Sequence, residues 1–142
     1  MVAPNIEFWN STSTVKYTTL DYGSLDAGQT TAVTTINIWN DKGTVLNSST
    51  ANGVTITTMT SGLLNTGSTL VDSKWYNVEC TSYGDAVYTA VGGLTTKAIG
   101  YASANQTIPK NQKAVVLTKL IVPSGASTGI QNFYIRVTYT YT

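Results

Sequence analysis

Histidine is absent from the sequence, so hydrolytic chemistry would fall to seven carboxylates, Glu7, Asp21, Asp26, Asp41, Asp72, Glu79 and Asp85, and to one thiol, Cys80. That absence removes Ser-His-Asp and Cys-His nucleophile systems and the common His-based zinc sites together. Glycoside hydrolysis needs two carboxyl groups facing one another across about 5–10 Å. Asp21 and Asp26 are the only pair close in sequence. They sit in Asp21-Tyr22-Gly23-Ser24-Leu25-Asp26-Ala27-Gly28, a turn context in which Asp binds its own backbone. The calcium-loop spacing D-x-[DN]-x-[DN]-G does not occur. Cys80 shares strand parity with Tyr76 and Val78, which makes it a small buried hydrophobe rather than an activated thiolate. These residues predict a chain without enzyme activity, cofactor or metal.

Trp9, Trp39 and Trp75 are the other residues with an evident capacity for recognition. Exposed on a β-sandwich, they would form a sugar-stacking platform. Covered by loops or a partner, they would be packing. Charge offers little else: 8 basic against 7 acidic residues give a net charge of +1, and charged residues make up 11% of the chain. A nucleic-acid binder needs clustered Lys and Arg to displace counterions, so none is expected as partner. No apolar run is long enough to cross a membrane as a helix.

The elements that must position these side chains read as strands. At 142 residues the chain is one domain's worth. Hydrophobic residues at 42% recur along its whole length, and 26 threonines accompany 9 tyrosines. β-Branched and aromatic residues fit a pleated, half-buried surface and lose side-chain freedom in helices, so no helix is expected. Phe133, Ile135, Val137, Tyr139 and Tyr141 alternate with polar residues at period two, which gives a closing strand with one buried face. Residues 115–122 are nearly continuously apolar and end at Pro123, a more deeply buried strand. Further strands are expected at 6–9, 15–22, 30–40, 44–46, 54–60, 73–80, 86–91 and 94–100, with loops at 61–72 and 101–112. This spacing with turn signals predicts an all-β, antiparallel two-sheet sandwich over residues 1–142, with residues 1–9 either an N-terminal arm or the first strand.

Two stretches carry a resemblance. Leu20-Asp21-Tyr22-Gly23-Ser24-Leu25-Asp26-Ala27-Gly28, followed by Ile36-Asn37-Ile38-Trp39-Asn40-Asp41, resembles the L-D-F-G-x-V-x-x-G and T-x-x-I-x-N-x pattern at the front of many immunoglobulin-like sandwiches. Val122-Pro123-Ser124-Gly125-Ala126-Ser127-Thr128-Gly129 resembles the V-P-x-x-A-x-x-G corner near their end. Taken with Met1-Val2-Ala3-Pro4-Asn5-Ile6-Glu7-Phe8-Trp9-Asn10, the chain resembles small virion proteins of tailed bacteriophages, of the capsid-decoration or head-accessory kind. The resemblance implies an immunoglobulin-like fold and a structural role on the outside of an assembled capsid. It also implies the major capsid protein or another virion protein as partner, with self-association open, and a virion location after synthesis in the host cytoplasm. A single cysteine, which cannot form an internal disulfide, and a start without a leader pattern fit that synthesis. Val2, Pro4, Asn5 and Trp9 in the apolar N-terminal segment are the candidate contact residues. The alternatives are a tail, baseplate or adhesion module, and a carbohydrate-binding or cell-surface module with a glycan as ligand.

Overall fold

The computed structural model describes residues 1–60, 68–102 and 106–142. Eight strands follow one another as β1 (Ile6–Trp9), β2 (Thr34–Asn40), β3 (Asn52–Met59), β4 (Tyr76–Cys80), β5 (Thr89–Val91), β6 (Lys97–Ala98), β7 (Gln112–Leu120) and β8 (Tyr134–Thr140), with a four-residue helix, α1 (Thr69–Asp72), before β4. They form a five-stranded sheet in the order β1-β2-β7-β4-β5 and a three-stranded sheet in the order β6-β3-β8. Every pairing is antiparallel. The chain is an all-β, two-sheet antiparallel sandwich.

Alternation places the core between the sheets. Ile36 and Ile38 of β2, Ala114, Val116 and Leu120 of β7 and Tyr76, Val78 and Cys80 of β4 meet Val54 and Ile56 of β3 as buried side chains. Each large aliphatic side chain removed from water contributes about 1.5–3 kcal/mol before the entropy of ordering the chain is set against it. Phe133, Ile135, Val137 and Tyr139 pack against this core on one parity of β8, as their spacing predicts, but only partly buried. The reason is topological: β8 is an edge strand, with β3 on one side and no described strand on the other.

The two stretches that carried the resemblance meet in the fold. The Gly28 N–H is shared between the carbonyls of Val122 (3.0 Å) and Pro123 (3.2 Å), and the Val122 N–H returns to the Gln29 carbonyl at 2.9 Å. Gly28 sits at φ +85°, a left-handed conformation that a side chain would strain.

Two strand expectations and the expectation of no helix fail for local reasons. Residues 44–46 form a turn because Thr44 and Asn47 take left-handed φ values of 56° and 52°, while the Asp41 carboxylate captures the N–H groups of Leu46 (2.9 Å) and Ser48 (3.0 Å). Residues 15–22 make only a bridge, Lys16 with Trp9, and then turn Tyr17, Leu20 and Tyr22 inward against the core. The segment before β4 is helical at α1, against the expectation of no helix. Lys74 there takes φ 55° and Trp75 donates back to the Leu70 carbonyl at 3.0 Å. Segments 30–40, 86–91 and 94–100 contain the shorter strands β2, β5 and β6. Parts of the two expected loops, residues 61–67 and 103–105, lie outside the described residues.

Candidate functional site

The two sheets part along one flank. β1 ends the five-stranded sheet and β8 ends the three-stranded sheet. Between them runs a groove of about 720 Å³ lined on one side by Pro4, Asn5, Ile6 and Phe8, and on the other by residues of β8 from Tyr134 to Tyr139, with Met59. A neighbouring groove of about 560 Å³ continues it past Tyr17, Leu20, Tyr22 and Phe133. The Tyr139 hydroxyl donates to the Pro4 carbonyl at 3.3 Å, tying β8 to the N-terminal arm. The lining of the first groove contains one charged side chain, Arg136, and no carboxylate. The outer edge of β8 meets no described strand, whereas that of β1 is bridged at its end, where the Phe8 carbonyl accepts the Tyr17 N–H at 2.7 Å. An open edge beside alternating apolar side chains has the chemistry that accepts an extended segment by strand addition.

Of the four candidate contact residues, Pro4 is buried, Asn5 and Trp9 are half-buried and Val2 is exposed. The arm is held to its own domain. The Val2 carbonyl accepts the Ser49 N–H at 2.8 Å, the Asn5 carbonyl accepts that of Asp41 at 2.8 Å, and the Asn5 N–H donates to Asn40 Oδ1 at 3.1 Å. Asn40 anchors this corner: fully buried, it also donates to the carbonyls of Ser49 (2.8 Å) and Ile108 (2.9 Å) and accepts the Ser48 hydroxyl (2.9 Å). Residues 6–9 are the first strand, with Ile6 and Phe8 facing the core. Pro4 and Asn5 line the groove, whereas Trp9 shares the opposite, outer face with Glu7.

The register builds that outer face. Glu7 pairs with Trp39, Trp9 with Asn37, and Trp39 in turn with Lys113. The loop after β1 folds over this end: Ser13 Oγ accepts both Trp39 Nε1 (2.8 Å) and Asn37 Nδ2 (2.9 Å). Lys42 places its ammonium 4.5 Å from the Trp9 ring centre and 5.7 Å from that of Trp39, and the Lys113 ammonium lies 5.3 Å from Trp39. Trp75 is no part of this surface. It is 7% exposed and belongs to the core, so a three-tryptophan platform does not form.

Asp21 and Cys80, two of the remaining chemistry-bearing residues, have local partners. Asp21 accepts the Gly23 N–H at 2.8 Å, the turn contact its sequence context predicts. Cys80 is buried, with Sγ 3.6 Å from both the Ser82 hydroxyl and the Gly100 carbonyl. Among the described residues no three His, Cys, Asp or Glu side chains gather as a metal site, and no helix is long and apolar enough to cross a membrane. Sequence reasoning missed the groove residues Met59 and Tyr134 and the lysines Lys42 and Lys113. The apolar alternation of β8 was visible, but not that it would be left at an edge.

No family model matches the chain, and no curated protein matches it. Among solved structures, a family 123 glycoside hydrolase from Clostridium perfringens, described for glycolipid glycan hydrolysis, aligns over 81% of this chain at 19% identity and a TM-score of 0.42. This chain spans 19% of that one. The expectation of a chain without enzyme activity is corrected here: a solved chain it aligns with is that of a hydrolase, so the exclusion is withdrawn. An alignment of this depth assigns no activity, substrate or catalytic residue.

Proposed function

We propose that the chain is a virion structural protein that docks on the outside of an assembled phage capsid through the flank between β1 and β8. The observation that carries this reading is the groove itself. The open β8 edge and the β1 edge, bridged only at its end by Lys16, border a half-buried apolar lining with a single charge among the described residues, which suits a partner held by backbone hydrogen bonds and apolar contact. The low charge of the chain, with 11% of its residues charged and a net charge of +1, supports the same conclusion. Only two ion pairs occur among the described residues, Lys16 with Glu7 and the mostly buried Lys97 with Asp85.

The location is tested by electron microscopy of particles labelled with an antibody to this chain. Label distributed over the capsid surface is the expected result. Label confined to the tail or baseplate, or absent from purified particles, overturns the reading.

A further inference from the structure

Lys42 and Lys113 are two ammonium groups gathered on one indole, Trp39, with Lys42 also over Trp9. Neither meets a carboxylate among the described residues, whose ion pairs use Lys16 and Lys97 instead. A cation–π contact at an exposed site returns only about 0.5–1 kcal/mol, which leaves most of each ammonium's charge uncompensated. A bound anion would complete the arrangement. The ring it would meet is held in place beforehand: Trp39 Nε1 is fixed by Ser13 Oγ, and Ser13 sits at φ 56° in a loop organised by Asn10, whose Oδ1 accepts the Thr14 (2.9 Å) and Val15 (3.2 Å) N–H groups. Pre-organisation of this kind lowers the entropic cost of binding.

We infer that this outer-face cluster of Trp9, Trp39, Lys42 and Lys113 is a binding site for an acidic saccharide, a sugar chain carrying one carboxylate or phosphate per unit. The charge pattern selects this class. A nucleic acid presents a phosphate at every nucleotide and needs a run of cations, whereas here only two ammoniums flank Trp39, whose register partner on β1 is Glu7, a carboxylate already paired with Lys16. That carboxylate would repel a dense polyanion but can accept hydroxyl hydrogen bonds from a sparsely charged one. Thr12 and Thr14, hydrogen-bonded to each other at 2.8 Å on the exposed loop, add hydroxyls at the rim. The partly exposed indoles supply apolar surface for the C–H faces of the sugar ring. This site faces away from the β1–β8 groove, so it stands or falls independently of capsid docking.

The test is titration of the whole chain, followed by the indole N–H resonances in NMR and by calorimetry. The probes are hexagalacturonate for carboxylate, a sugar-1-phosphate polymer for phosphate, the methyl ester of hexagalacturonate as the uncharged analogue, and a short single-stranded DNA. At least one acidic sugar should bind about tenfold or more tightly than the ester, moving Trp9 and Trp39 but not buried Trp75. The double variant Lys42→Ala, Lys113→Ala should lose that binding about tenfold, while Lys119→Ala, whose ammonium lies over Tyr88 elsewhere on the sheet, should retain it. The wild-type resonance pattern decides the matter even if the double variant folds poorly. Equal binding of the ester, DNA binding as tight as that of the acidic sugars, movement of Trp75 alone, full binding by the folded double variant, or no binding of any probe would each overturn the site.

Discussion

The hydroxyl of Tyr76, fully buried, lies 2.7 Å from the hydroxyl of Tyr22, which in turn lies 2.8 Å from Thr118 Oγ1. Thr118 spends its own proton on the Thr34 carbonyl at 2.9 Å. It therefore accepts from Tyr22, and Tyr22 accepts from Tyr76, so the proton direction runs from the core outward to β2. The two rings meet edge to face at 5.7 Å, with Phe133 of the connection to β8 5.5 Å from Tyr76. This chain of hydroxyls joins the segment before β2 to β4 and β7, and through Phe133 it closes one end of the groove.

Tyr22→Phe should therefore destabilise the fold by about 1–3 kcal/mol, since it strands the buried Tyr76 hydroxyl without its acceptor. Denaturant titration at neutral pH measures the loss. An unchanged midpoint would show that the relay carries no stability.

Burial, above all, pushes the Tyr76 hydroxyl well above the ordinary tyrosine range and raises that of Tyr22. A group whose pKa is raised by folding stabilises the fold fully below its unfolded value, about 10 for tyrosine, and loses that contribution as pH rises through the folded value. Stability should fall above about pH 10, and ultraviolet titration should show Tyr76 ionising last, with Tyr22 also above the ordinary tyrosine range. Ionisation of all nine tyrosines as one ordinary class while the fold persists would refute this.

Much of this scaffold was legible in the amino-acid pattern. The alternation Phe133, Ile135, Val137, Tyr139 gave β8 its inward parity, and the apolar run at 115–122 marked β7. What escaped was set by single backbone angles or by distant pairing. Nothing in Thr44-Val45-Leu46 announces the left-handed Thr44 that breaks the strand. Trp75 followed strand parity on paper, yet the turn at Lys74 swings it inward. The groove depends on which strand ends each sheet, a non-local outcome that no window of residues contains.

Asp41 is held below the ordinary carboxylate range, first by the Leu46 N–H and then, against the opposing cost of burial, by further backbone N–H groups that include Ser48. A carboxylate lowered in this way stabilises the fold above its unfolded pKa, about 3.9, and the contribution disappears as pH falls through the lower folded value. Asp41→Asn should flatten the acid limb of the stability curve and loosen the loop bearing Val45 and Leu46. An acid limb identical to that of the wild type would show that Asp41 does not set it.

A Cβ on Gly92 would lie 2.1 Å from the Val71 carbonyl oxygen, a backbone atom that cannot swing aside. Gly92→Ala should cost about 1–3 kcal/mol or more through displacement of α1 against the end of β5. Thermal unfolding reads the effect. A variant as stable as the wild type would mean that α1 moves without cost.

Capsid docking through the β1–β8 flank is tested most directly by pelleting the purified chain with undecorated particles at low and high salt. Raising NaCl from about 0.1 to about 1 M shortens the Debye length from roughly 10 to 3 Å, which weakens a charge-held contact and leaves an apolar one intact. Two exposed positions separate the flank from the rest of the surface: Tyr134, 61% exposed and lining the groove, and Ile130, 89% exposed and outside it. The account predicts equal pelleting at both salt levels, loss of about tenfold in affinity with Tyr134→Asp, and no change with Ile130→Asp. Release at high salt, or a Tyr134→Asp variant that pellets like the wild type, would contradict it.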